Sequence, residues 1–179
     1  ARFDALLARV AAGGAGATLA VRADPGMGKT RLTQELALRA RRRGFAAHAT
    51  AILDFGTAQG RDAVHALFAS LLGIVPEVSD AGRRAALDRA VADGAIAAEH
   101  EPFAADLLAV PQRAAATYES MDDAARTEGR LRALADAAER AAAARPQLLL
   151  VEDMHWATPR IAAAVRTLAD CARRTRTLV

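Results

Sequence analysis

Residues 18–43 read as a short apolar strand, a glycine turn and a helix, and no other stretch of the chain restricts its fold as much. The strand is "TLAVRA", Thr18 to Ala23, and the turn and helix start are "ADPGMGKTRL", Ala23 to Leu32. Glycines let a backbone curl around an anion with several N–H groups pointing inward. The start of the helix adds partial positive charge. A lysine just inside that helix reaches terminal phosphates, and a hydroxyl beside it suits Mg²⁺. Lys29 and Thr30 have those identities and that place. Lys29 is also the only lysine among 24 basic side chains; the rest are arginine. A compact ammonium on a long stem serves here where the planar fork of arginine fits poorly.

The usual spelling of such a loop is G-x-x-x-x-G-K-[ST], and its first position here is Ala23. Alanine is tolerated there provided the position does not need positive φ. The candidate phosphate-binding residues are Asp24, Pro25, Gly26, Met27, Gly28, Lys29, Thr30 and Arg31, with Thr30 on the Mg²⁺ side.

The second signal is "LLLVED", Leu148 to Asp153. A four-residue apolar run reads as a buried strand of a parallel sheet, and its end carries two carboxylates to the C-terminal edge, where nucleotides sit. One acid can hold Mg²⁺ through water and the other can polarise an attacking water. By position Glu152 is the metal-side acid and Asp153 the water-activating one; the roles can be exchanged without offending the spacing. Both are candidate catalytic residues and both candidate Mg²⁺ ligands. Side chains alternate along a strand, so the two point alike only if the strand ends there.

Helices surround these strands. "RFDALLARVAAG" is amphipathic, with Phe3, Leu6, Leu7 and Val10 on one face. "GGAGA", Gly13 to Ala17, precedes a strand instead of following one, so it reads as a flexible connector and not a dinucleotide fingerprint. A helix is expected from about Lys29 to Arg43, closed by the "RARRRG" cluster with Gly44 as a left-handed cap. "FAAHATAIL", Phe45 to Leu53, reads as a strand. "RDAVHALFASLLGI" is a helix with Val64, Leu67, Phe68, Leu71 and Leu72 inward and His65 off that stripe, solvated or capping. Residues from about 75 to 120 read as two or three small helices inserted between strands, with Ser79 as an N-cap and His100 at the surface. A long helix stops before Pro146. Another starts with Thr158 as N-cap and Pro159 at its first position, and "TLV" opens a further strand. Strands alternating with helices give an α/β class with a parallel sheet, one domain over 1–179 with a helical insertion.

Composition narrows the partners. The chain has 179 residues, 53% of them hydrophobic and 25% charged, enough for one real core. The net charge is +3 and the pI about 9.9. That surplus is small beside the basic stripe of a duplex binder, so direct nucleic-acid binding by this segment is not expected. A single cysteine, Cys171, permits no internal disulfide and reads as a small core residue. With no signal peptide and no apolar run of membrane length, the cytoplasm is the expected compartment and a membrane is not an expected partner. The chain starts at Ala1 and stops in "RTLV", as a piece of a longer protein would. "DFG" at Asp54–Gly56 lacks an HRD-type loop before it and gets no kinase role.

"VEDMHWATP", with "DPGMGKTRL" before it, resembles the STAND/AAA-like P-loop NTPase modules of large bacterial signalling proteins, found in LuxR-type regulators and beside class III adenylate/guanylate cyclase domains. "ILDFGTAQGRDAVHALFASLLG" and "YESMDDAARTEGR" look more like the cyclase-linked branch. The resemblance spans nearly the whole chain. It implies a three-layer α/β/α fold, ATP and Mg²⁺ binding, slow hydrolysis or switching, and control of an attached output domain, a cyclase or a DNA-binding unit. A nucleotide-dependent oligomer is compatible with it. Gly26, Gly28, Lys29 and Thr30 would hold phosphates and metal, and Glu152 and Asp153 would form the acidic pair. His155 and Trp156 match the family's HW. Trp156 is expected as a packing anchor with its N–H bonded, and His155 as a structural or supporting group.

The resemblance also implies one strand between the phosphate-loop strand and the acidic strand, beginning here at Thr177. The chain would then be truncated before the core is complete, without the polar sensor, the last core strand or a helical lid. Arg160 and Arg166 read as surface residues, not arginine fingers. Two other readings stand beside an ATP-hydrolysing switch: a nucleotide-binding scaffold without turnover, and a DNA-linked AAA-type ATPase.

Overall fold

In the computed structural model, residues 2–24, 26–52 and 63–179 are described. Pro25 and the "DFG" triplet lie outside them.

The elements are α1 (Arg2–Ala11), α2 (Lys29–Arg42), β1 (Ala46–Ala51), α3 (Ala63–Leu71), α4 (Asp80–Ala92), α5 (Glu101–Leu107), α6 (Ala115–Glu119), α7 (Asp123–Ala144), β2 (Gln147–Glu152), α8 (Pro159–Ala172) and β3 (Thr177–Leu178). Short 3₁₀ turns cover Ala98–His100 and Met154–Trp156. The three strands form a parallel sheet in the order β1-β2-β3. Ala46 pairs with Gln147 and Ala51 with Glu152, while Gln147 pairs with Thr177.

A fourth row lies beyond β3. Ala17 bridges Leu178 in parallel. The Leu19 amide donates to the Val179 carbonyl at 2.7 Å and the Val179 amide to the Ala17 carbonyl at 3.0 Å. The expected strand over Thr18–Ala23 is thus only partly formed: pairing stops at Leu19, which is already opposite Val179, the last residue of the sequence. The expected order holds, with the strand beginning at Thr177 between the loop's strand and the acidic one.

Alternation along β2 builds the layers. Leu148 and Leu150 pack with Leu7, Val10, Ala40, Phe45 and Leu178, on the face covered by α1 and α2. Leu149 and Val151 pack on the opposite face, in the larger core that holds Phe68, Leu134, Ala137, Ala164 and Leu168 from α3, α7 and α8. A strand packed on both faces reads as a near-continuous apolar run, as Leu148 to Val151 do.

Local chemistry sets the helix ends. Ser79, Asp122 and Thr158 accept from the amides of Gly82, Ala125 and Ile161, capping α4, α7 and α8. The α2 C-terminus closes as expected: Gly44 has φ +83°, its amide donates to Arg41, and the Phe45 amide reaches back to Ala40. Phe45 and Ala40 share a core cluster, the apolar contact that accompanies such a cap. The arginines of this end dock α1, since Arg39 and Arg43 both pair with Asp4, at 3.6 and 3.4 Å.

A polar network spans the sheet on the α3 side. Gln147, 2% exposed, donates its amide N–H groups to the carbonyls of Ala141 and Arg145. Its Oε1 is therefore left to accept, from His48 Nε2 at 2.9 Å. That fixes the His48 tautomer, so Nδ1 accepts from the Ser70 hydroxyl at 2.7 Å. Burial holds the His48 pKa below the usual histidine value.

Three expectations are corrected here. The "GGAGA" segment is not a free connector: Gly16 donates to the Thr175 carbonyl at 2.8 Å and lies hard against Thr177. His65 is half-buried, not solvated, and burial lowers its pKa. His100 is not a free surface group, because its Nδ1 lies 2.6 Å from Asp136 Oδ2 and its side chain is 16% exposed. For Gly16 and His100 the partner comes from an element distant in sequence.

Candidate functional site

The loop before α2 has the backbone shape that its glycines predict. Gly26 and Gly28 both sit at φ +78°, in the left-handed region that glycine enters without strain. Ala23 is not among the residues with positive φ, so alanine there costs the loop nothing in backbone conformation. The Met27 amide donates to the Asp24 carbonyl, tightening the turn.

Helix α2 starts differently from α4, α7 and α8. Gly28 is its N-cap, no side chain caps it, and its first turn holds no acid. The first amides of a helix need a partner, and with the dipole behind them they favour an anion. Lys29, Thr30 and Arg31 occupy that first turn. Lys29 Nζ now folds back onto the carbonyls of Ala23 and Asp24, each at 3.0 Å. These are exposed hydrogen bonds, so the ammonium is held over the loop by contacts that cost little to break.

The acidic strand end meets the same helix. Leu148 and Leu150 face α2, and strand alternation carries Glu152 to that side. Thr33, one turn beyond Thr30, donates its hydroxyl to Glu152 Oε1 at 2.8 Å, joining residues 119 apart in sequence. β2 stops at Glu152. Asp153 then takes a left-handed conformation, φ 59° and ψ 38°, and caps the 3₁₀ turn, with the Trp156 amide donating to its carbonyl at 2.9 Å. Such a conformation costs a non-glycine residue on the order of 1–2 kcal/mol, and Asp is among the residues that tolerate it best. The turn removes Asp153 from the alternation that would have sent it to the α3 side.

Thr33 was not a candidate from sequence. The signal was present: it follows Thr30 by three residues, so both lie on one helix face.

His155 and Trp156 follow the acids. Their rings are 4.9 Å apart and tilted by 43°. Trp156 is 47% exposed, which corrects the expected packing anchor: the 3₁₀ turn lifts the indole off the core. Met27 is 73% exposed and Met154 40% exposed, so the surface around the loop and the acids carries uncovered apolar side chains. A cleft of about 280 Å³ lies elsewhere, between α3, α4 and α7, lined by Leu71, Leu72, Arg89 and Arg140 among others.

The donor set fits Mg²⁺ carried with a nucleotide. Thr30, Glu152 and Asp153 supply only oxygens, which hard cations prefer, and Mg²⁺ typically takes one or two carboxylates with phosphates and waters. No group of three or more His, Cys, Asp or Glu able to hold a metal occurs among the described residues, so an all-protein metal cage is not what this edge offers. No helix among them is long and apolar enough to cross a membrane.

No curated protein and no solved structure matches the chain. A family model described as AAA ATPase domain matches residues 1–179. A glycine loop opening an uncapped helix, a parallel sheet with a strand between that loop and the acids, and a match over the full sequence agree: the chain belongs to the AAA ATPase domain family.

Proposed function

We propose that the chain binds ATP with Mg²⁺ on the loop 23–31 and works as a regulatory ATPase module in a multidomain bacterial signalling protein. The observation that carries the site is the Thr33–Glu152 hydrogen bond, which brings an acid of the β2 edge to the helix that opens from the glycine loop. The STAND-like identity, with a cyclase or DNA-binding output domain in the same parent chain, rests on the "DPGMGKTRL" and "VEDMHWATP" motifs. A cytoplasmic location and a nucleotide-dependent oligomer belong to the same proposal.

The residues divide the work. The amides of the first turn of α2, with Gly26 and Gly28, cradle the phosphates. Lys29 exchanges the Ala23 and Asp24 carbonyls for phosphate oxygens, a stronger charge-assisted pairing. Thr30 and Glu152 stand on the metal side. Asp153, exposed and turned out of the strand, accepts a proton from the attacking water at its carboxylate. Bound Mg²⁺ supplies neutralisation of the phosphate charge.

ATP turnover in the full parent protein tests the reading. Asp153→Asn should bind ATP as wild type does and lose about 10²-fold or more in turnover, the usual range for a positioned base. Wild-type binding without measurable turnover would favour the scaffold reading. Equal turnover in Asp153→Asn would remove the role given to that acid.

A further inference from the structure

Glu152 is held by a residue outside the phosphate-loop motif. Thr33 Oγ1 lies 2.8 Å from Glu152 Oε1 and 2.9 Å from its own helix carbonyl at Thr30. The hydroxyl has one proton and both neighbours only accept. The bond to an ionised carboxylate is the stronger one, so the proton goes to Glu152. The Thr30 carbonyl keeps the Thr33 side chain aimed back along the helix when the carboxylate is turned away.

Glutamate has one more torsion than aspartate, and a carboxylate on that longer stem loses more freedom when it is fixed. Thr33 provides the fixing. It occupies Oε1 and leaves Oε2 without a hydrogen bond among the described residues. Asp153 has no such anchor: it is exposed, and its side chain makes no hydrogen bond among the described residues. The two acids are therefore unequal, one tied to α2 and one free.

We infer that Thr33 is a positioning residue for Glu152, setting that carboxylate for Mg²⁺ bound with the nucleotide. This rests on the reading that ATP and Mg²⁺ occupy the loop. Thr33 acts only through Glu152, so its removal affects the metal-dependent part of ATP binding and spares the rest. Residues that orient a metal ligand in this way typically contribute 10- to 100-fold to metal affinity.

The test measures equilibrium ATP binding by the full chain twice, with Mg²⁺ and with EDTA in its place, for wild type, Thr33→Val and Thr33→Ser. Valine keeps the branched shape and removes the hydroxyl; serine keeps the hydroxyl. Wild type should bind more tightly with Mg²⁺. Thr33→Val should reduce that Mg²⁺ advantage about tenfold with its EDTA affinity unchanged, and Thr33→Ser should restore the advantage. An unchanged Mg²⁺ advantage in Thr33→Val overturns the inference, and so does an equal loss in both conditions, which marks a structural role only. Wild type that binds no ATP in either condition removes the nucleotide reading itself, and this inference with it.

Discussion

Gly16 sits so close to Thr177 that a β-carbon on it would lie 1.5 Å from the Thr177 carbonyl oxygen. The same site brings the Gly16 amide to Thr175 and the Ala17 amide to Thr177, at 2.8 and 3.2 Å. The chain that leads into the phosphate loop is thus laid onto β3 at a point where only glycine fits. Gly16→Ala should push this row off the sheet and cost about 3 kcal/mol. Gly13, at φ +92° with open space around it, should lose only about 1–2 kcal/mol on substitution by alanine. Denaturant midpoints for the two variants check the contrast, and equal midpoints would contradict the close approach.

The polar network around Gln147 predicts a pH dependence. Burial lowers the pKa of His48 in the folded state, and of His65 likewise. Between the folded and unfolded pKa values the unfolded chain binds a proton that the folded one refuses, so stability rises with pH there. The stabilisation is complete above about 6.5, the unfolded histidine value, and is lost as pH falls from there towards the folded values. Urea midpoints taken from about pH 8 to about pH 5 should fall on the acid side, and His48→Gln should flatten part of the slope. A midpoint unaffected by His48→Gln at every pH would contradict the assignment.

Gln147→Leu is expected to be costly for a different reason. It leaves the Arg145 carbonyl and the His48 Nε2 without their partner inside the structure, and the Ala141 carbonyl with only the Arg145 amide. A buried group left unsatisfied costs about 1–3 kcal/mol, and the full effect should lie at or above the top of that range. A loss under about 1 kcal/mol in chemical denaturation would show that the network relaxes around the gap.

Arg83 anchors α4 from beneath. It is 8% exposed and donates to the carbonyls of Val78 and Leu108, while its ion pair is with Asp80, whose side chain is 74% exposed. Arg83→Ala should destabilise by about 2–3 kcal/mol through the buried Leu108 carbonyl, and Asp80→Ala by under about 1 kcal/mol. Amide hydrogen exchange in α4 and α5 reads the difference locally.

What could be read from the sequence divides along a physical line. Features decided within one element were legible. Ser79, Thr158 and Gly44 announce helix ends because caps are local, and Leu148 to Val151 announce a doubly buried strand because both faces need apolar side chains. The glycines, Lys29 and Thr30 mark the loop for the same reason. Features that need a second element were not read. Gly16 is fixed by the carbonyl of Thr177, His100 by Asp136, and Glu152 by Thr33, each more than 30 residues away. Trp156 was expected to pack because its ring carries a large apolar body, whereas the 3₁₀ turn that follows β2 leaves it 47% exposed. Glu152 was within reach: alternation from Leu148 and Leu150 assigns it to the α2 face, and Thr33 shares a helix face with Thr30.

The central claim is that a triphosphate binds where Gly26, Gly28 and Lys29 form the start of α2. Equilibrium binding of ATP with Mg²⁺ by wild type, Lys29→Ala and Lys29→Arg tests it most directly. A lost charge-assisted contact is worth about 1.5–3 kcal/mol, so Lys29→Ala should weaken binding by about 10- to 100-fold. Lys29→Arg should fail to restore it, because the planar guanidinium does not replace a point charge in the loop. ATP binding that is unchanged in Lys29→Ala would contradict the account.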